Sequence, residues 1–157
     1  MGEIRVGQGF DVHRFAPGRP LMLGGVRFEG DGLDGHSDGD AVCHALADAL
    51  LGAAGLGDVG ELFPDTDPRF EGIGGLDLLA RVVGEVRGAG LEPASADLTV
   101  VAERPAIAPV RDEIRRALAG VIGVALERVS VKATRPEGLG LTGDGVGCFA
   151  LAVLRAP

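Results

Sequence analysis

The chain has 157 residues, 46% hydrophobic but only 4% aromatic, with no Trp and no Tyr. A chain of that length buries roughly 70% of its unfolded surface, here in a core of Leu, Val, Ile and Ala. A formal net charge of −8 argues against nucleic acid and an anionic membrane as partners, but leaves room for a small phosphorylated ligand, since exposed charges reach only about 8 Å at physiological salt.

The elements follow in chain order. Residues 3–15 alternate, with Ile4, Val6, Phe10 and Val12 on one strand face and Gly7, Gly9, Asp11 and His13 on the other. Leu21–Leu23 and Val26–Phe28, joined by Gly24-Gly25, read as a short hairpin. Ser37 or Asp38 caps a helix reaching about Ala54, with Val42, Leu46, Leu50 and Ala53 as its core stripe and His44 and Asp48 on a different face. Residues 58–67 form a polar loop. A second helix spans about 75–89 and ends at Gly88 and Gly90. A strand follows over 97–103. Ile107, Val110, Ile114, Leu118 and Ile122 mark a third helix, and 129–134 and 146–154 are strands separated by a Gly-rich turn over 138–145. The 27 glycines are dispersed rather than periodic, as expected of many tight turns. The expected fold is one α+β domain over 1–157, a two-layer sandwich with helices on one side of a mixed four-stranded sheet. Cys43 and Cys148 form no CxxC motif and read as buried thiols in a reducing compartment. With no signal-peptide pattern and no apolar run long enough to span a bilayer, the expected location is the cytoplasm.

Asp11, His13 and His44 supply one carboxylate and two imidazoles with no cysteine. That donor set suits a divalent ion such as Zn²⁺ with one coordination position left for substrate, although the spacing alone also fits ordinary surface or core histidines. Asp40 or Asp48, each four residues from His44, is a candidate to orient its ring, or simply part of a solvated acidic face. His36 and Ser37 read either as cap and loop residues or as anion donors beside a helix N-terminus. Asp58, Gly60, Asp65 and Asp67 read as turn residues or as partners for polyol hydroxyls. Lys132, Thr134, Arg135 and Glu137 group cations, a hydroxyl and a carboxylate at a strand end. That suits a phosphate held with Mg²⁺, but also an exposed strand end. There is no serine-nucleophile elbow and no paired-cysteine metal site.

Four segments taken together are more specific: Gly9-Phe10-Asp11-Val12-His13; His36-Ser37-Asp38-Gly39-Asp40 with His44; Asp58-Val59-Gly60-Glu61-Leu62-Phe63-Pro64-Asp65-Thr66-Asp67-Pro68; and Val131-Lys132-Ala133-Thr134. In these, and over nearly its whole length, the chain resembles the 2-C-methyl-D-erythritol 2,4-cyclodiphosphate synthase family of the non-mevalonate isoprenoid route. The resemblance implies a homotrimer with active sites between subunits. It implies a lyase that takes 4-diphosphocytidyl-2-C-methyl-D-erythritol 2-phosphate to the cyclic diphosphate and releases CMP. It sets Asp11, His13 and His44 around Zn²⁺, and Glu137 on a second ion, Mg²⁺ or Mn²⁺, at the substrate diphosphate. His36 and Ser37 fall near the phosphates; the catalytic side chains expected are His36 and, outside the family pattern, Arg135. Asp58, Val59, Gly60 and the Phe63, Pro64, Asp65, Thr66, Asp67 loop hold the methylerythritol unit. Ala102, Glu103, Arg104, Pro105, Ala106, Ile107 and Ala108 match the cytosine-binding loop, and Lys132, Ala133 and Thr134 lie near the diphosphate.

Two departures stand out. Arg135-Pro136 replaces further threonines, so a hydroxyl is lost there and Arg135 either adds charge at the transition state or points away. Asp144 stands where an Arg associated with prenyl-diphosphate binding on the trimer axis is common, which argues against such binding. Two other functions use the same donor set: a metal-dependent phosphohydrolase and a structural metal-binding trimeric module.

Overall fold

The computed structural model describes residues 2–157; Met1, the first residue of the expected 1–157 unit, lies outside them. The strands are β1 (Ile4–Ala16), β2 (Leu21–Leu23), β3 (Val26–Phe28), β4 (Gly32–Leu33), β5 (Glu92–Val101), β6 (Val129–Thr134) and β7 (Gly145–Arg155). The helices are α1 (Ala41–Ala54), α2 (Val59–Leu62), α3 (Gly75–Gly88) and α4 (Arg111–Ile122).

The main sheet has the order β4-β1-β7-β5-β6, and β2 and β3 form a separate hairpin. All its pairings are antiparallel except β5 with β6. The sheet therefore has five strands where four were expected. The extra one, β4, pairs only two residues with the end of β1, too few for alternation to register in a sequence. β5 starts at Glu92 rather than 97 because Pro93 and a register irregularity before Ser95 break its alternation. The third helix opens as a 3₁₀ turn, Ala108–Val110, around Pro109, and α4 proper starts at Arg111.

The first helix also starts later than expected. Its cap is Asp40, not Ser37 or Asp38. Asp40 is fully buried, and its carboxylate accepts from the backbone N–H groups of Val42, Cys43, Gly24 and Gly25. One side chain thus satisfies two orphan donors of α1 and both amides of the β2–β3 turn.

Register puts Gly9, Ala150, Leu98 and Val131 in one row across β1, β7, β5 and β6. This face carries the core. α1 lies on β1 and β7, α4 lies on β6, and α3 packs against both helices. The helices do cover one side of the sheet. On the opposite face Ile4, Val6, Phe10, Val12, Phe149 and Leu151 are exposed, and Phe10 stacks on Phe149 with 4.5 Å between centroids. Among the described residues no helix is long and apolar enough to cross a membrane.

The contact between β1 and α1 positions everything that follows. A Cβ on Gly7 would sit 2.0 Å from the Ala49 carbonyl oxygen, and one on Gly9 1.9 Å from that of Ala45. Glycine is required there because backbone meets backbone. The helix contributes a matching small ridge, Ala45, Ala49 and Ala53, at spacing i, i+4. Gly9→Ala is expected to wedge the two elements apart and cost about 3 kcal/mol of stability in urea unfolding. An unchanged midpoint would refute this contact.

Candidate metal centre and its two cavities

β1 runs antiparallel to α1, so Asp11 and His13, beyond the glycine contact, reach the first turn of the helix and meet His44. Asp11 Oδ2 lies 2.7 Å from His13 Nε2 and 3.2 Å from His44 Nδ1, and the two ring nitrogens are 3.3 Å apart. The three donor atoms all lie within 4.8 Å of one another, the one such group among the described residues.

The far nitrogen of each ring is also engaged. His13 Nδ1–H donates to the Asp34 carbonyl at 2.6 Å; because a carbonyl only accepts, the neutral ring turns its Nε2 lone pair into the site, whereas the protonated ring donates from Nε2 to Asp11. Ser37 Oγ lies 3.1 Å from His44 Nε2. With a proton on that nitrogen Ser37 accepts it, and the Nδ1 lone pair faces Asp11 and His13. Ser37 Oγ also accepts from Gly39 N–H, which leaves its own hydroxyl hydrogen for an acceptor in the cavity. Two lone pairs and a carboxylate thus point at one spot. They repel unless a proton or a cation sits between them, and a tetrahedral Zn²⁺ with three protein ligands fits this donor set.

By helical spacing Asp40 and Asp48 are the candidates to orient His44. Neither does so: Asp40 is consumed by its four amides, and Asp48 Oδ1 accepts from Val59 N–H. Ser37 fills the role. Asp48 instead fixes the start of α2, whose cap Asp58 accepts from Glu61 N–H.

A cavity of about 400 Å³ opens on the triad, lined by Asp11, His13, His36, Ser37, His44, Asp48, Asp58, Val59, Gly60, Phe63, Phe70, Ile73 and Leu78. It gathers most of the expected metal and methylerythritol residues. Pro64, Asp65, Thr66 and Asp67 are not in its wall. Their turn is tied to it by His36 Nε2–H, which donates to the Asp67 carbonyl at 3.3 Å, while the Asp67 carboxylate pairs with Arg69. Asp48, singled out by its place one turn after His44, stands in the cavity wall rather than on the ring; Phe70, Ile73 and Leu78 join it there without any such signal in the sequence.

The remaining expected residues lie elsewhere. A second cavity, about 210 Å³, is lined by Val100, Ala102, Pro105, Ala106, Ile107, Ala108, Arg111, Ala133, Thr134 and Arg135, and shares no residue with the first. Arg111 was not anticipated. Lys132 points to the open sheet face, where it pairs with Asp97. Glu103 accepts from Gly138 N–H. Arg104 pairs with Asp144 at 3.2 Å and stacks 4.1 Å over Phe15. Glu137, at the head of the Gly-rich turn, lines neither cavity and has φ 52, a conformation that costs a non-glycine residue energy and recurs at ligand sites.

Burial alone would raise the Asp11 carboxyl, but hydrogen bonds from His13 and His44 outweigh it and hold it at about 2. Burial alone would lower His13, but Asp11 and the Asp34 carbonyl outweigh that and raise it above the ordinary 6.5. In metal-free protein the raised His13 stabilises the fold fully below its unfolded value, and that contribution is lost as pH rises through the folded one. The depressed Asp11 contributes above its unfolded value of 3.8, and this is lost as pH falls toward about 2. Metal uptake needs the neutral ring. Zinc binding is therefore expected to release a proton and to tighten as pH rises from 6.5 through the raised His13 value. Calorimetry in buffers of different ionisation enthalpy measures this; proton-neutral binding across that window would contradict the site.

Known proteins resemble this chain over nearly its whole length. The YgbB family profile matches residues 4–156. The bifunctional enzyme IspD/IspF of Anaeromyxobacter dehalogenans is 52% identical over 153 residues, which is 96% of this chain but 40% of that protein; the chain spans well under half of such relatives. The 2-C-methyl-D-erythritol 2,4-cyclodiphosphate synthase of Symbiobacterium thermophilum is 52% identical over 152 residues, 95% of this chain and 97% of that one. A solved synthase structure in its CDP-bound form superposes with a TM-score of 0.88 at 38% identity, covering 96% of this chain and 99% of that one. With a profile match over nearly its whole length and half its residues shared with these relatives, the chain belongs to the YgbB family.

Proposed function

We propose that this chain converts 4-diphosphocytidyl-2-C-methyl-D-erythritol 2-phosphate into 2-C-methyl-D-erythritol 2,4-cyclodiphosphate and CMP, as a phosphorus–oxygen lyase of isoprenoid precursor biosynthesis in the cytoplasm. The observation that carries this reading is the convergence of Asp11, His13 and His44 on one point of a cavity large enough for a small polyol phosphate. The synthase named among its relatives, and the CDP held by a similar structure, support the substrate.

In this reading the substrate 2-phosphate oxygen forms a bond to the β-phosphorus. The bond from that phosphorus to the oxygen bridging to the α-phosphate breaks, and its electron pair leaves with CMP. Nucleophile and leaving group are both phosphates in one molecule, so the chain's task is positioning and charge neutralisation rather than proton abstraction. Asp11, His13 and His44 would hold Zn²⁺, which when bound supplies Lewis-acid polarisation and orientation of phosphate oxygens. Ser37 offers its free hydroxyl hydrogen to a phosphate oxygen, and His36 stands beside it on the cavity wall. Asp58, Val59, Gly60 and Phe63 receive the methylerythritol unit, with Pro64, Asp65, Thr66 and Asp67 as the turn behind it. Ala102, Pro105, Ala106, Ile107 and Ala108 receive the cytosine, flanked by Glu103 and Arg104. Lys132, Ala133, Thr134 and Arg135 serve the diphosphate, and Glu137 a second ion, Mg²⁺ or Mn²⁺.

One substrate must meet both cavities, yet their linings are disjoint in a single chain. The uncovered apolar sheet face, more contiguous than isolated surface residues require, supports assembly as a homotrimer in which one copy's triad cavity faces a neighbour's second cavity.

CMP release from the cytidyl substrate is expected to stop with chelator and return with Zn²⁺, and phosphorus NMR is expected to show a cyclic diphosphate. Open phosphates would indicate a hydrolase instead. His13→Ala and His44→Ala are expected to stay folded and lose about 1000-fold in turnover; unfolding of both would point to a purely structural metal site. Glu137→Ala is expected to lower turnover more than it lowers zinc content, and equal loss of zinc would count against its assignment.

A further inference from the structure

Arg19, in the turn between β1 and β2, lines neither cavity of the site. Its guanidinium reaches the 34–37 segment, where Nη1 donates to the Gly35 carbonyl and Nη2 to the Ser37 carbonyl. The Asp34 carboxylate lies 3.9 Å from Nη1. The carbonyls of this segment alternate in direction. Those of Gly35 and Ser37 turn to Arg19. The Asp34 carbonyl turns to His13 Nδ1, and that of His36 to Gly72 N–H. All four acceptors are therefore committed, and the two facing the guanidinium fix the phase of the two facing away.

The segment supplies the outer hydrogen bond of both imidazoles: the Asp34 carbonyl for His13 and the Ser37 hydroxyl for His44. The loop also packs tightly on the rings, since a Cβ on Gly35 would meet His13 Cε1 at 3.3 Å. A rotation of either peptide would therefore be felt at a ligand. The planar fork of arginine suits bridging two carbonyls at i and i+2, whereas lysine presents a single point donor.

We propose that Arg19 is a positioning residue for the Asp11, His13, His44 centre. By clamping the carbonyls on either side of His36 it aims the Asp34 carbonyl and Ser37 hydroxyl at the two rings, and so sets metal affinity and ligand geometry without touching metal or substrate. This rests on the metal reading of the triad.

The test uses the full chain, stripped of metal and titrated with Zn²⁺ against a competing chelator dye. It compares the unaltered chain with Arg19→Met, Arg19→Lys and, as a control on the triad itself, His13→Ala. Outer partners of metal ligands typically carry about 10- to 100-fold in affinity, and Arg19→Met is expected to weaken zinc by that factor. Arg19→Lys, which keeps the charge and guards against a folding defect, is expected to recover only part of the loss. The visible spectrum of Co²⁺-loaded Arg19→Met is expected to differ from that of the unaltered chain, a change that general destabilisation would not produce. If Arg19→Met or Arg19→Lys binds zinc as the unaltered chain does, with the same Co²⁺ spectrum, the proposal is overturned while loss of binding in His13→Ala keeps the metal site intact. A lower melting temperature with unchanged zinc affinity also overturns it. If the unaltered chain takes up no zinc, the metal reading fails and the proposal with it.

Discussion

Backbone-to-backbone contact between β1 and α1 is the constraint on which the rest depends. Gly7 and Gly9 on the strand and Ala45 and Ala49 on the helix let the two elements approach until a single methyl group would clash. Residues further along β1 then have one place to go. Asp11 and His13 arrive beside the first turn of α1, and His44 completes the set. The chemistry is thus an extension of the packing: the small-residue seam that closes the core also sets the distance between a strand-borne carboxylate and a helical imidazole.

The loop between β4 and α1 holds this geometry with carboxylates that never enter the site. Asp40 caps α1 and gathers the Gly24-Gly25 turn. Asp38 accepts from Asp40 N–H and from Gly75 N–H at the start of α3; burial keeps its carboxyl above the ordinary value although both amides act to lower it. Three elements are therefore tied to one seven-residue stretch, and the cavity wall inherits their rigidity. The phosphate transfer proposed for this site would need such fixed donors more than a strong base.

Much of this was legible in the sequence. Alternation in β1 separated Gly7, Gly9, Asp11 and His13 from the apolar face, and helical spacing placed His44. The five-stranded sheet was not legible, because two paired residues of β4 leave no period. The partner of His44 was not legible either. Proximity along the helix favoured Asp40 and Asp48, but amide donors from Gly24, Gly25 and Val59 claimed both carboxylates, and a serine before the helix took the ring. Sequence distance ranks candidates on one helix; it does not reveal which donors arrive from elsewhere. The same limit hid Arg19, whose partners are main-chain carbonyls and leave no residue-type signature.

The function of the first cavity turns on what gathers at the triad on its wall. X-ray absorption at the zinc edge of the loaded chain tests that most directly. Two imidazole nitrogens at about 2.0 Å, one carboxylate oxygen and one solvent oxygen, with no sulfur, is the predicted shell. A thiolate scatterer at about 2.3 Å, or a fourth protein ligand in place of solvent, would contradict it.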